Sequence, residues 1–224
     1  MNRRWQLGVG LLLTGMAGYV DALGFVRLGG LYTSFMSGNT TQLAVLGAQV
    51  ELHRMILPAI LILAFLTGSV LGSGLAILVP PRWTTPAVLA YESLLILAGL
   101  GLGLQSPELG LAAFFVAVAM GSQNAVLAQV KGFRAGTTFV TGALFSLGQK
   151  IAQALTRTGD PLGWLGDASV WISLLFGAYL GAHAYQQVGL YALIAPAAIS
   201  GGLALITAFL VLRTAPPAAK VPPT

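Results

Sequence analysis

GGLYTSFMSGNTT, residues 29–41, is a polar interruption between two apolar runs in a chain that is 56% hydrophobic. Glycine costs about 1 kcal/mol in a helix interior, and serine, threonine and asparagine prefer caps and turns. At membrane depth, non-helical backbone is tolerated only where protein buries it or where it lines a watery cavity. The stretch therefore predicts a break in a membrane-spanning helix, followed by a short helix at about 40–50.

The interruption has a second copy in the other half of the chain. Three short motifs recur in the same order and at nearly the same offset, which indicates a duplicated unit. The pairs are TSFMSG (33–38) with TTFVTG (137–142), 104 positions later (137 − 33); GYVDA (18–22) with GSQNA (121–125), 103 later (121 − 18); and GSVLG (68–72) with GAYLG (177–181), 109 later (177 − 68).

The composition is that of a polytopic membrane protein. Only 8% of the 224 residues are charged, whereas soluble domains carry about 25%. Apolar runs of about 20 residues recur along the chain, as expected of helices that cross a bilayer. Positive residues in short cytoplasmic loops explain the net charge of +5, so we expect a lipid bilayer and no nucleic acid as partner. With no cysteine, disulfides and cysteine metal sites are excluded.

The expected organisation is a basic leader at 1–6, a first membrane repeat at 7–105, a second at 109–212 and a disordered, proline-rich cytoplasmic tail at 213–224. Ser-Pro-Glu at 106–108 is the candidate link between the repeats. The first apolar run should be retained as a helix rather than removed as a signal peptide, because further spans follow it. The predicted helices are 7–22, 40–50, 56–79, 86–104, 109–129, 142–155, 167–186 and 190–212.

Charge counting favours one topology over another. Both topologies place the two termini on the cytoplasmic side. If the two short helices enter the membrane and return, nine of the eleven lysines and arginines are cytoplasmic. If both short helices cross, which gives eight crossings, only seven of the eleven are cytoplasmic. Three spans in each half would make the repeats inverted, a recurring architecture of secondary transporters. We expect an all-α polytopic membrane protein with two homologous halves as an inverted repeat, built from six full spans and two short interrupted or re-entrant helices. Eight crossings are the alternative.

Asp21 is the principal candidate for a coupling acid. It ends the first apolar run, and an ionisable group at membrane depth is by default a candidate functional residue. The second half has the neutral amide Asn124 at the matching place, and a single acid with a neutral counterpart suits coupling to one proton or cation. Alternatively, Asp21 is interfacial, and it caps its helix or pairs with Arg27.

The starts of the two short helices supply the candidate substrate-binding residues. Free N–H groups and the positive dipole end of a helix attract anions and polar oxygens. Ordinary N-capping with close glycine packing is the alternative. The candidates, with Asn124 opposite Asp21, are Ser37, Gly38, Asn39, Thr40, Asn124, Thr141 and Gly142.

Three further polar residues fall within apolar segments. Glu92 is a candidate for transport function, or it faces an interface or pairs with Arg82 or His183. His183 is a candidate proton relay or simply a packing residue. Gln123 either lines a cavity or forms hydrogen bonds between helices.

The glycine pairs of the third repeated motif, at 68–72 and 177–181, let helices approach closely; alternatively they form a dimer face.

An enzyme is not expected, because no metalloprotease, nucleophile-elbow, P-loop or Rossmann pattern occurs. We therefore expect no catalytic residues and no cofactor. His53 and His183 lie 130 positions apart (183 − 53) and make a poor metal site.

The first 40 residues contain an ordered pattern: Gly18-x-x-Asp21-Ala22, Phe25, Leu28-Gly29-Gly30 and Ser34-x-Met36-Ser37-Gly38-Asn39-Thr40. This pattern resembles the YoaK-like family of small bacterial inner-membrane proteins, which is classed as a domain of unknown function. This sequence has Ser37 where threonine is common and Tyr32 where phenylalanine is common. The resemblance covers essentially the whole chain and implies a multi-pass protein of the bacterial plasma membrane.

The function expected from these features is a secondary transporter of a small polar or anionic solute, coupled to a proton or cation. The site would lie between the two short helices. One alternative is a non-transporting membrane protein, either an assembly partner, for instance a homodimer, or a lipid-processing enzyme. A channel is another.

Overall fold

The structure, a computed structural model, describes residues 3–105, 109–127 and 140–214. In these ranges the chain forms eight α-helices and two short 3₁₀ segments, Pro81–Trp83 and Gly189–Leu193. The α-helices are α1 (Arg3–Arg27), α2 (Met36–Ala48), α3 (Leu52–Leu78), α4 (Thr84–Gln105), α5 (Leu109–Leu127), α6 (Val140–Leu155), α7 (Leu165–Val188) and α8 (Ile194–Thr214).

The predicted all-α polytopic class is confirmed. Six of the helices described have 19 to 27 residues, while α2 and α6 have 13 and 16. Four segments are long and apolar enough to cross a membrane, and the last of them contains both α7 and α8. The apolar part of α5, Gly110–Val126, is slightly shorter.

Two boundaries at the first break differ from the prediction. Helix α1 continues past residue 22 to Arg27, because 22–27 contains no proline and its one glycine, Gly24, keeps a helical backbone. Gly29 and Gly30 have φ of 65° and 105°, the left-handed backbone that commonly ends a helix. Helix α2 begins at Met36 rather than near 40. Asp21 therefore lies inside a helix, and the break is confined to 28–35.

Several predictions fall on residues that the structure does not describe. These are the link at 106–108, most of the second break within 128–139, and the tail beyond 214. The expected leader at 1–6 overlaps α1, which begins at Arg3.

The long helices pack across the two halves of the chain. Helix α1 lies along α7, and α3 lies along α5. Helix α4 packs between α5 and α8. The short helices have fewer neighbours, since α2 packs mainly on α3 and α6 on α7.

Glycines determine how closely these helix pairs approach. A Cβ on Gly68 would overlap the carbonyl oxygen of Val118, and one on Gly72 would overlap Ser122. In the other half, a Cβ on Gly177 or Gly181 would overlap the carbonyl oxygens of Gly15 and Tyr19, respectively. The glycine pairs are thus buried between helices of one chain, and the alternative that they form a dimer face is wrong.

The main apolar core lies among α1, α4, α5 and α8. Leu13, Leu89, Met120 and Leu203 represent these four helices, and Leu193 of the 3₁₀ segment before α8 also belongs to the core. Many large apolar side chains point outward instead. Such an exposed apolar surface suits contact with lipid, because lipid tails replace water as the surrounding medium.

The close approach of α3 and α5 predicts a test of the fold with a matched pair on one helix. Gly68→Ala forces the added Cβ against the α5 backbone, and overpacking of this kind costs about 1–3 kcal/mol. Gly74→Ala is the control, because nothing lies within 4 Å of its Cβ position. We expect thermal unfolding in detergent micelles to show a lower melting temperature for Gly68→Ala only. Equal melting temperatures for the two variants would contradict the α3–α5 packing.

The topology can be tested by labelling, because the chain has no cysteine. Arg54 and Arg82 flank α3 at opposite ends. With the N-terminus inside, six spans place Arg54 outside and Arg82 inside, and eight crossings place them the other way round. In spheroplasts we expect an impermeant maleimide to label Arg54→Cys and not Arg82→Cys. The reverse pattern would favour eight crossings.

Candidate functional site

Asp21 holds the first break against α1. Its Oδ1 accepts hydrogen bonds from the backbone N–H groups of Thr33 (2.9 Å) and Ser34 (2.6 Å) and from the Thr33 hydroxyl (3.3 Å). Its Oδ2 accepts one from the Ser34 hydroxyl (2.6 Å). Among the residues described, Asp21 makes no ion pair with Arg27; the two salt bridges found there join Arg54 to Glu51 and Lys150 to Asp167. The carboxylate thus binds the chain's own main-chain donors.

Asn39 fixes the other side of the break. This fully buried side chain accepts a hydrogen bond from the backbone N–H of Tyr32 (2.9 Å) and donates one to the carbonyl of the same residue (2.7 Å). Both backbone groups of Tyr32 are therefore paired with a single amide. Asn39, a candidate substrate-binding residue, thus uses both edges of its amide to bind atoms of the chain.

The other predicted residues of the first break have varied surroundings. Ser37 and Thr40 are exposed on α2, and the Thr40 hydroxyl donates to the Met36 carbonyl (2.8 Å). A Cβ on Gly38 would press against the rings of Phe35 and Tyr32. Close glycine packing therefore explains Gly38 without a ligand.

The candidates in the second half lie elsewhere. Thr141 and Gly142 are exposed in the first turn of α6, whose main neighbour is α7. Asn124 lies on α5, and its Nδ2 is 3.3 Å from the Met120 carbonyl oxygen. Because α2 packs mainly on α3, the described parts of the two short helices do not form one common site.

Glu92 and Gln123 form a buried polar pair between α4 and α5. Both side chains are fully buried, and Gln123 Nε2 donates a hydrogen bond to Glu92 Oε1 (3.0 Å). The remaining oxygens, Glu92 Oε2 and Gln123 Oε1, have no hydrogen-bond partner among the residues described. The alternative pairings of Glu92 with Arg82 or His183 are wrong.

Residues of α8 surround this pair. Ser200 is fully buried and borders the Glu92 carboxyl, and its Oγ lies 3.5 Å from Met16 Sδ. The neighbouring Ser93 donates to the Ala197 carbonyl (2.8 Å). The acid therefore lies where helices of both halves meet.

His183 and Arg27 occupy different positions from these pairs. His183 is exposed on α7 and stacks on Tyr179, with 6.4 Å between the ring centroids. Arg27 borders a cavity of about 20 Å³ between α1 and α5, with its Nε buried and unpartnered among the residues described. A cavity of that size has room for about one water molecule.

A larger cleft opens beside the first break. Its volume is about 280 Å³. Leucines and Pro58 line its floor, and the polar side chains are Gln42, His53 and Arg54. Gln42 lies on α2, while His53 and Arg54 begin α3, so the break, the short helix and the next span together form the cleft. Arg54 also pairs with Glu51.

No three His, Asp or Glu residues cluster in a way that could hold a metal ion within 3–105, 109–127 and 140–214. The structure adds several residues that the sequence did not single out as site residues. Their spacing in the sequence from Asp21 and Glu92 matches neither a helical nor a strand period, so the sequence alone does not indicate that they lie close to these acids. They are Tyr32, Thr33, Ser34, Gln42, Arg54 and Ser200.

Comparison with known proteins gives a family but no activity. A family described as "Protein of unknown function (DUF1275)" matches residues 9–206. The chain is also similar to the UPF0700 transmembrane protein RA0705 of Rhizobium meliloti (strain 1021), with 30% identity over 197 residues, which is 87% of this chain and 84% of that protein. No solved structure gives a significant match.

The hydrogen bonds at Asp21 predict a stability effect. Asp21→Ala leaves the buried donors of Thr33 and Ser34 unpaired, and hydrogen bonds to a charged group contribute about 1.5–3 kcal/mol each. Asp160→Ala is the control, because Asp160 is an exposed loop residue. We expect limited proteolysis in micelles to cut within 28–35 faster in Asp21→Ala alone. Equal cutting rates would show that Asp21 does not hold the break.

Proposed function

Because this chain belongs to the DUF1275 family of proteins of unknown function, we propose its function from its own residues: a carrier of a small polar or anionic solute. The chain is a multi-pass membrane protein, as the transmembrane relative and the apolar helices indicate. We place it in the bacterial plasma membrane with both termini cytoplasmic, and we propose no catalytic activity.

We infer that the chain consists of two copies of one unit. The offsets between the repeated sequence motifs also relate one pair of helix contacts to another. The offset of 103 relates Gly15 to Val118, and the offset of 109 relates Gly68 to Gly177. The contact between Gly68 and Val118 therefore corresponds to the contact between Gly177 and Gly15. Gly72–Ser122 maps onto Gly181–Tyr19 in the same way. Two equivalent crossings are what an inverted repeat of a transporter would contain.

The cleft beside the first break carries the proposal. Its volume of about 280 Å³ suits a small solute, since ligand sites start at about 300 Å³. Arg54 offers a fixed positive charge with several N–H donors, and Gln42 and His53 add polar groups. An apolar floor with a few polar groups is the usual form of a small-molecule site.

The first break would support this cleft rather than bind the solute. Asp21 and Asn39 bind backbone groups of 32–34, and Leu28, Gly29 and Leu31 of the same segment line the cleft. In this proposal Asp21 is a positioning residue. The prediction that Asp21 is the coupling acid can be tested by uptake into proteoliposomes. If it is correct, Asp21→Asn abolishes the uptake that an ion gradient drives.

A non-transporting membrane protein is the second candidate function. The hydrogen bonds of the first break favour it, because Asp21 and Asn39 already bind atoms of the chain itself. The absence of any uptake, together with a stable complex with another membrane protein, would support this alternative. A channel differs from a carrier in that its flux does not saturate with solute concentration.

The experiment is uptake into proteoliposomes containing the purified protein. The solute panel should hold small carboxylates, inorganic phosphate and neutral polar compounds, each tested with imposed proton and sodium gradients. We expect saturable uptake of at least one solute above protein-free liposomes. If no solute moves under any gradient, the carrier proposal fails.

The cleft predicts a specific effect on affinity. Arg54→Gln removes the positive charge, and a hydrogen bond to a charged group contributes about 1.5–3 kcal/mol, so we expect the KM for an anionic solute to rise roughly tenfold. Arg82→Gln is the matched control, because Arg82 is equally an exposed arginine but lies at the far end of α3. If both variants change KM alike, the cleft is not the solute site.

A further inference from the structure

The Glu92–Gln123 pair has no part in the proposed solute cleft. It lies within the apolar core, and neither the 280 Å³ cleft nor the cavity beside Arg27 includes it in its lining. Ionisable residues buried in membrane proteins are rare because they are costly, and they commonly mark proton or ion pathways.

The hydrogen bonding of the pair is incomplete in one particular way. Gln123 Nε2 is a donor to Glu92 Oε1, while Glu92 Oε2 and Gln123 Oε1 are buried acceptors that lack a donor among the residues described. Buried polar atoms of this kind call for an explanation such as a water molecule or ion. A proton on the carboxyl supplies a donor and needs no additional space.

No charged group of the packed elements faces Glu92 in the described part of the chain. Helix α5 carries no titratable residue over Leu109–Leu127. Asp21 of α1 is bound to the first break. Of the other titratable residues on the neighbouring elements, five are exposed: His53 and Arg54 at the start of α3, Arg82 before α4, Tyr191 before α8 and Arg213 at its end. Tyr19 and Arg27 of α1 and Tyr91 of α4 are half-buried.

The position of the pair connects the two halves. Glu92 belongs to the first half and Gln123 to the second, and Ser200 of the second half borders the same carboxyl. A change in the protonation of Glu92 therefore alters a hydrogen bond across the seam between the halves. A carrier that exposes its site alternately to the two sides moves such halves relative to one another.

We propose that Glu92 is a proton-binding site at the contact between the two halves, with Gln123 as its hydrogen-bonding partner and Ser200 beside it. The further claim that proton binding at Glu92 drives solute movement rests on the proposed carrier function. A proton from water on one side of the membrane binds a carboxyl oxygen of Glu92, and the same proton leaves to water on the other side. No other bond forms or breaks.

The direct test measures the proton without any solute. Infrared difference spectra of the full chain in proteoliposomes, recorded across a pH titration, report the carbonyl stretch of each carboxylic acid. We expect a pH-dependent band that Glu92→Gln removes and that Asp160→Asn, an exposed-acid control, leaves in place. A Glu92→Gln spectrum identical to the unmodified protein's would overturn the proposal.

A second variant keeps the test decisive if Glu92→Gln does not fold. Gln123→Leu retains the acid and removes its hydrogen-bond donor, so the same band should persist at a shifted frequency. An unshifted band would show that the titrating carboxyl is not paired with Gln123, and the proposed site would be wrong.

Uptake measurements separate this inference from the carrier proposal. For a transported solute, an inwardly directed proton gradient should no longer stimulate uptake by Glu92→Gln. Exchange of labelled for unlabelled solute should continue in this variant. Uptake that the gradient still stimulates in Glu92→Gln would refute proton coupling at Glu92 and leave the carrier proposal standing. A Glu92 band without uptake of any solute would support the proton site and refute the carrier.

Discussion

The backbone groups freed by the first break are the constraint on which this structure depends. Thr33 and Ser34 of this break are buried, so water cannot pair their backbone groups, and each buried group left unpaired is costly. Asp21 accepts the N–H groups of Thr33 and Ser34, and Asn39 pairs both backbone groups of Tyr32. Those side chains thus pair the backbone groups of 32–34. At the positions that the motif offsets relate to Asp21 and Asn39, the second half has Asn124 and Ala143, so an amide replaces the carboxylate and a methyl group replaces the amide of Asn39.

The glycine crossings impose the next level of order. Because a Cβ on Gly68 or Gly177 would overlap the facing backbone, α3 can lie along α5 and α7 along α1 only with glycine at these points. Each crossing joins a helix of one half to a helix of the other. The two halves of the chain thus pack together at two places, and α4 lies between α5 and α8. This arrangement brings the polar side chains of Glu92 and Gln123 together inside an apolar core.

Much of this fold could be predicted from the sequence, and the partners of the polar residues could not. The apolar runs, the two short helices and the polar break follow from composition and local propensity, and the close-packing glycines follow from their spacing. The predicted end of the first helix at residue 22 is wrong, because the polar Asp21 does not stop α1, whereas Gly29 and Gly30 end it. The pairing of Glu92 with Gln123 depends on how α4 and α5 cross, which no local pattern specifies. The cleft required the joint position of α2, the break and α3.

The two buried acids differ in their partners, and that difference separates their roles. Asp21 is surrounded by main-chain and hydroxyl donors, which stabilise a fixed carboxylate much as a helix N-terminus stabilises an anion. Those donors belong to Thr33 and Ser34 of the break, so a change at Asp21 would release the break itself. Glu92 has a single amide donor and a spare acceptor beside it, so a change in its proton alters only one contact between α4 and α5. A group whose state can change without unfolding its surroundings is suited to a reversible step, and a group on which the surrounding backbone depends is suited to a fixed one.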